Sequence, residues 1–360
     1  MSPMYRIRVY PRNLSLVVAI ALSGVFASVA PGEALGATIV VGQNAAVCPG
    51  AQFAKIQDAV NAASPGDIIQ ICPGVYAEQV STSKALEVNA NNGAILRPSG
   101  EQHRVGVGPT IAALLLIENT PDVTVRNLTI DGTDADINAC APDLIGVFFR
   151  NASGQLSHVA VRNAKLSSNF SACQSGSAIL VQSGGGQSSV VGIAESSIHA
   201  YQKNGITANE AGTDVTVGGT VVTGLGATTG AAQNGIQIGF GAAGTVRHHT
   251  VANHIWSPCV SVDQCTATAN DILVFQSDGV SVHDNVISAS QTGVAIVGNN
   301  ANVFDNDIFD SQIFDGIELI GDDNTAQRNQ ITHSDQAGVL VAAAAMWCGK
   351  TSSTSRPLAF

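Results

Sequence analysis

Hydrophobic and polar positions along this chain follow a short, recurring register: apolar-x-apolar-x-x-slot-x-apolar. It recurs eight times, most clearly as Val280-Ser-Val282-His-Asp-Asn285-Val-Ile287 and Asn302-Val303-Phe-Asp-Asn306-Asp-Ile308. Weaker copies place Leu128, Ala164, Ser196, Thr220, His249 and Asn329 in the slot. Late in the chain each slot follows a Gly-apolar-x-apolar run, opened by Gly293, Gly316 and Gly338, 23 and 22 residues apart (316 − 293; 338 − 316). Residues at i and i+2 of a strand share a face, so Ile236 and Ile238, Val294 and Ile296, and Ile317 and Leu319 each point one way. A period near twenty-two residues, made of strand and turn, predicts a solenoid whose stacked coils share one core.

The slot falls in a tight turn between two strands. Asparagine suits it because it tolerates left-handed backbone and its amide bonds neighbouring backbone. Asn285, Asn306 and Asn329 are expected to stack as a ladder. Before the repeats, Ala37 to Gly42 reads as a strand. Phe53, Ile56, Ala59, Val60 and Ala63 then lie at helical spacing, ended by Ser64-Pro-Gly-Asp67. A short amphipathic helix there would plug the open end of the cylinder.

These repeats resemble the right-handed parallel β-helix proteins of the pectin-lyase-like superfamily, in the subset with short PbH1-type repeats. The resemblance spans about Thr38 to Val341. It implies an all-β fold: a single-stranded right-handed parallel β-helix solenoid with a short N-terminal capping helix. Members include lyases, hydrolases, esterases, epimerases and tailspikes, so fold alone selects no activity. Ile56-Gln-Asp-Ala-Val60, Pro73-Gly-Val-Tyr76 and Glu78 are similar to the opening of pectin methylesterases, but the esterase's catalytic Asp motif is not found. Gly321-Asp-Asp323, near Asp315 and Glu318, resembles polygalacturonases without their Gly-His-Gly and Arg-x-Lys motifs. The Asp-Pro-His-Asp motif of alginate epimerases is also missing.

Composition adds location. Arg6, Arg8 and Arg12 precede an apolar stretch from Leu14 to Ala30, then small residues, so residues 1–36 read as a secretory signal. The solenoid then occupies 37–341 and an irregular tail 342–360, which forms a short cap, is incomplete, or leaves the last coil to a partner. No other run is long enough to span a bilayer, so the mature chain is expected to have no membrane span. Removing the signal takes away three Arg and Glu33, moving the net charge from −11 to −13. That surface disfavours nucleic acid. Seven Cys in an exported chain suggest disulfides, with Cys48–Cys72, Cys140–Cys173 and Cys259–Cys265 the preferred pairs and Cys348 left over.

Extra residues accumulate at one point of the coil: Asp131–Asp143, Ser167–Gly176, Thr223–Gln233 and Ala252–Thr268. Such loops line up on one side of a solenoid. In the superfamily they stand beside the usual substrate groove. Outward residues of the adjoining sheet, by alternation, include Phe148 and Arg150, Leu180 and Gln182, Thr207 and Asn209, Gln237, Leu273, Phe275, Ala295 and Glu318. Arg150, Gln182 and Asn209 would form a row spaced by about 4.8 Å, with Phe148 and Gln237 completing a saccharide-binding set. The acidic loop Asp131-Gly-Thr-Asp134-Ala-Asp136 carries oxygen ligands suited to Ca²⁺, or a general acid and base for glycoside cleavage. Asp134, Asp136 and Arg150 are the catalytic candidates, with Lys165 and Lys203 as other cations near the loops. His248, His249 and His254 lie close to Cys259 and Cys265, a spacing that raises Zn²⁺, although exported cysteines usually pair. No other cofactor is implied. Two classes stay open: a module that engages extracellular or cell-surface polysaccharide, and a lyase or hydrolase acting on a uronate-containing glycan.

Overall fold

The computed structural model describes residues 36–99, 111–135, 137, 139–167, 173–184 and 186–342. Residues 1–35, on which the expected secretory signal falls, Asp136 and Cys348 lie outside the described residues. Three parallel sheets wind together: sheet A with eleven strands, sheets B and C with ten each. One coil runs through Thr213–Gly218 in sheet A, Val221–Thr228 in sheet B and Asn234–Gly239 in sheet C, then returns to sheet A at Ala243–Arg247. This is an all-β, right-handed parallel β-helix.

Alternation and register build the core. In sheet A, Leu156 pairs with Val125 and Ile193, Val217 with Ile193 and Val246, and Val282 with Val303, all buried and inward. Sheet B stacks Val161, Ile198, Val222 and Val251 in the same way. Each coil leaves an apolar side chain directly above its equivalent, so burial continues along the axis.

The glycine that opens the sheet C strands has a steric cause. A methyl at Gly235 would lie 2.5 Å from Val251 Cγ1 and 2.6 Å from the Asp271 carbonyl oxygen. Sheets B and C meet too closely there for a side chain. The turn between sheets A and B is equally regular. The residue before the slot is left-handed in coil after coil: Asn127 at φ 58°, Glu195 at 49°, His248 at 58°, Asp284 at 55°, Asp305 at 56°. The slot residue itself is not left-handed, which corrects the expectation for asparagine there. Its role is hydrogen bonding: Asn285 Nδ2 donates to Asn306 Oδ1 at 2.8 Å, and Asn306 Nδ2 to Asn329 Oδ1 at 2.9 Å. One slot is also corrected. Ala164 follows the sheet B strand Ala160–Arg162, and Val159, after left-handed His158, holds the A-to-B slot of that coil.

The helix is Ile56–Ala62, with Ile56, Ala59 and Val60 packed into the core. Glu78 accepts the Ile56 and Gln57 N–H groups at 2.8 and 2.9 Å, and Lys84 Nζ donates to the Val60, Asn61 and Ala63 carbonyls at 2.7–2.9 Å. Opposite charges therefore sit at the ends that the helix dipole favours. Tyr76 is buried, donating to the Cys72 carbonyl at 2.8 Å. The esterase-like opening is thus explained by the end cap. All three preferred cysteine pairs are bonded. At the other end the last sheet C strand runs Val339–Ala342, one residue beyond the expected boundary, and Val341 is 54 % exposed. Among the described residues no helix is long and apolar enough to cross a membrane.

Candidate functional site

The long connections all run from sheet B to sheet C, as their spacing predicts. Two of them begin as extensions of sheet B, in Val221–Thr228 and Thr250–Trp256. Buried glutamines tie them down. Gln233 Oε1 accepts Leu225 N–H at 3.0 Å while its Nε2 donates to the Tyr201 carbonyl at 2.7 Å. Gln291 accepts Trp256 N–H and Ala269 N–H and donates to the Trp256 and Cys259 carbonyls.

These loops stand over the strand starts of sheet C, whose outer face carries three axial columns. The first is Asn204, Asn234, Asn270 and Thr292 in register, each buried. Asn270 Nδ2 donates to Asn234 Oδ1 at 2.9 Å, and Asn234 Nδ2 to Asn204 Oδ1 at 3.2 Å. Asn270 Oδ1 and Thr292 Oγ1 have no hydrogen-bond partner. The sequence reading missed this ladder, although an Asn just before the strand's Gly at 204 and 234 marked it. The second column contains Phe148, Leu180, Thr207, Gln237, Leu273, Ala295 and Glu318. The third contains Arg150, Gln182, Asn209, Gly239, Phe275 and Val297.

The expected row Arg150–Gln182–Asn209 is therefore adjacent in register. Gln182 Nε2 donates to Glu210 Oε1. Gln237 joins two columns: its Oε1 accepts from Asn204 Nδ2 and Asn234 Nδ2, each at 3.2 Å, and its Nε2 donates to Asn209 Oδ1 at 3.5 Å. Phe148 is a correction. It points outward but is 1 % exposed, packed with Ala113, Leu116, Ile145 and Leu180, so its ring is not presented for stacking. The half-buried outward positions lie further along, at Gln182, Asn209, Gln237, Leu273, Phe275 and Glu318.

At the far end of this strip two carboxyl groups meet. Asp315 is 1 % exposed and accepts Ala337 N–H on Oδ1 at 2.8 Å, while its Oδ2 has no hydrogen-bond partner. Burial and the Asp315 charge push Glu318 up to about 8. Burial also raises Asp315, against the hydrogen bond from Ala337 N–H. Glu318 thus holds a proton at neutral pH, the condition for a general acid. Lys203, just before Asn204, is pushed down to about 8 by burial, with Nζ donating to the Ala232 carbonyl.

The acidic loop is arranged differently from expectation. Asp134 is 70 % exposed and pairs with Arg97 at 2.5 Å. Asp131 accepts Arg162 Nε at 2.9 Å, Asn163 Nδ2 at 2.8 Å and Thr133 N–H at 3.0 Å. Burial opposes its ionisation, but those hydrogen bonds outweigh it and hold Asp131 at about 2. An open pocket of about 690 Å³ is lined by Asp134, Asn163, Lys165 and Ser167, without Arg150. Arg150 ends the strand that this loop precedes, seven residues beyond its start at Asp143. The described carboxylates of the loop are held by protein donors and do not converge on a shared ligand position. No group of three His, Cys, Asp or Glu suited to a metal occurs among the described residues. Cys259 and Cys265 are bonded to each other, and His254 turns into the core, which separates the residues that raised zinc.

That inward turn creates a cluster the sequence did not reveal. His254 Nδ1 bonds Asp271 Oδ1 at 2.5 Å and its Nε2 bonds Tyr201 Oη, all three side chains being buried. Burial pushes Asp271 up to about 6 against its hydrogen bond to His254, and raises Tyr201 well above its ordinary value. A separate open groove of about 910 Å³ follows the A-to-B turns, past Asn127 and the exposed His158–Glu195 pair at 2.7 Å.

No protein-family model and no curated protein matches the chain. Solved structures do. Two structures of the GH136 lacto-N-biosidase from Eubacterium ramulus superpose with TM-scores of 0.54 and 0.57, at 12 % and 11 % identity. The matches cover 82 % and 83 % of this chain and 68 % of that enzyme. Pectate lyase Pel9A matches with a TM-score of 0.48 and 10 % identity over 84 % of this chain and 80 % of its own. At such identities the likeness establishes the fold, a right-handed parallel β-helix.

Proposed function

We propose that this chain is an extracytoplasmic, carbohydrate-active β-helix that engages a polysaccharide along the outer face of sheet C. The carrying observation is the strip of half-buried amides, Gln182 and Asn209 in one column and Gln237 in the next, whose column runs through Leu273 and Ala295 to Glu318 beside Asp315. Amides donate and accept at once, as vicinal hydroxyls require, and coils stacked about 4.8 Å apart repeat those groups along one line. A lacto-N-biosidase with the same fold supports a saccharide ligand. Net negative charge argues against nucleic acid. Three disulfides support an oxidising compartment, in keeping with the signal-like residues 1–36.

Protonated Glu318 favours a second reading, glycoside hydrolysis. In it Glu318 delivers its proton to the glycosidic oxygen as the bond to the sugar carbon breaks, and water supplies the new hydroxyl. The test is a degradation screen on the purified full chain, with and without Ca²⁺, read by reducing ends and by ultraviolet absorbance of unsaturated uronates. Reducing ends lost in Glu318→Gln support hydrolysis. Unsaturated products would indicate a lyase and direct attention to Lys203. Binding without cleavage leaves the module reading, and neither binding nor cleavage across a broad panel contradicts the proposal.

A further inference from the structure

Phe240 is an unusual residue in this chain. It follows Gly239 at φ 57°, a left-handed backbone that bulky side chains avoid, and its ring is 49 % exposed. No core packing accounts for it. Its N–H donates to the Phe275 carbonyl at 2.9 Å, and its ring meets that of Phe275 edge to face, with centroids 5.6 Å apart at 71°. Phe275 is half-buried and belongs to the same outward column as Gln182 and Asn209.

Gly239 lies between the amides and the rings. A methyl there would stand 3.3 Å from Asn209 Oδ1, 3.3 Å from the Phe275 carbonyl oxygen and 3.6 Å from Gln237 Nε2. With glycine there, no side chain stands between the aromatic pair and the two amides. The apolar C–H face of a pyranose packs on an aromatic ring, and its hydroxyls need amide partners. A lipid chain would use the rings and leave the amides without a role. Phe304, by contrast, is covered, with His283 stacked at 4.6 Å and Arg328 over its ring at 5.7 Å.

We propose that Phe240 and Phe275, with Asn209 and Gln237, form a subsite for one pyranose residue of the bound glycan. The subsite rests on the reading of sheet C as the polysaccharide face; Phe275 lies two coils from Glu318 and Gln237 three, roughly 10 and 14 Å along the axis.

Affinity electrophoresis of the full chain through polygalacturonate, alginate and xylan, with lacto-N-biose oligosaccharides as soluble competitors, tests it. Phe240→Ala and Phe275→Ala are each expected to weaken the retention shown by wild type roughly tenfold, about one stacking contact. Phe240→Trp keeps it, and the exposed-position variants Phe240→Ala and Phe240→Trp melt as wild type does. Retention unaffected by either alanine, but lost in Gln182→Ala, overturns the subsite while leaving the sheet C reading intact. A wild-type chain retained by no probe and displaced by no competitor overturns both.

Discussion

Glu318 shows how a single side chain carries a measurable consequence. Burial and Asp315 lift it from 4.5 to about 8, so between those values the folded chain holds a proton that the unfolded chain has lost. Its stabilising contribution is complete below about pH 4.5 and drains away as pH rises through about 8. Glu318→Gln, neutral throughout, should therefore gain in melting temperature relative to wild type as pH rises across that window, measured by calorimetry. A pH-independent difference would contradict the assignment. The Tyr201–His254–Asp271 cluster makes a second case. Removing one partner leaves a buried polar group unpaired, so His254→Ala is expected to cost about 3–5 kcal/mol in denaturant unfolding. A loss below 1 kcal/mol would argue against it. Glu318 was legible because strict alternation puts it outward. His254 was not, because Asn253 at φ 68° and the register shift opposite it at Thr223/Gly226 break the alternation and turn the ring inward. Phe148 was read correctly as outward, but its burial depends on packing that alternation does not describe.

Turns and ladders dominate at the scale of the element. Asn306 Nδ2 donates to the Val282 and Phe304 carbonyls at 3.0 Å and to Asn329, while its Oδ1 accepts Asn285 N–H at 3.1 Å and Asn285 Nδ2. Asn306→Ala should cost about 2–4 kcal/mol, because it orphans groups in three coils. The exposed neighbour Asp307, on the same strand, gives a control, with Asp307→Ala expected within about 0.5 kcal/mol of wild type. This ladder and the Cys140–Cys173 pair could be read from spacing, since both depend on equivalent positions in successive coils, whereas Cys259 and Cys265 share one loop. Ala164 was misplaced because the sheet B strand before it imitates the slot pattern. The Asn204–Asn234–Asn270 ladder was overlooked for a related reason: it precedes strands separated by long insertions, which blur the period.

For the molecule as a whole, stability in a solenoid is a sum over coils and their contacts. Upstream core positions such as Val246 and Val282 are fully buried, whereas Ala326, Ile331 and Val339 in the last coil are only partly so. Hydrogen exchange is expected to be fastest in Thr325–Ala342 among the strands and slowest in the central coils; uniform protection would contradict additive stacking. The repeat made the fold legible, and the loop-bearing side could be found from insertions alone. The chemistry was less so, because the acidic loop that drew attention is neutralised by Arg97 and Arg162, while the acid pair depends on burial that no local pattern reports. The central claim is that sheet C is the glycan face. Its most direct test is a crystal structure of Glu318→Gln bound to the best-retained oligosaccharide. The account predicts sugar along the outer face of sheet C, from Phe240 past Gln237 to position 318. Sugar seated instead in the groove beside His158 and Glu195 would contradict it.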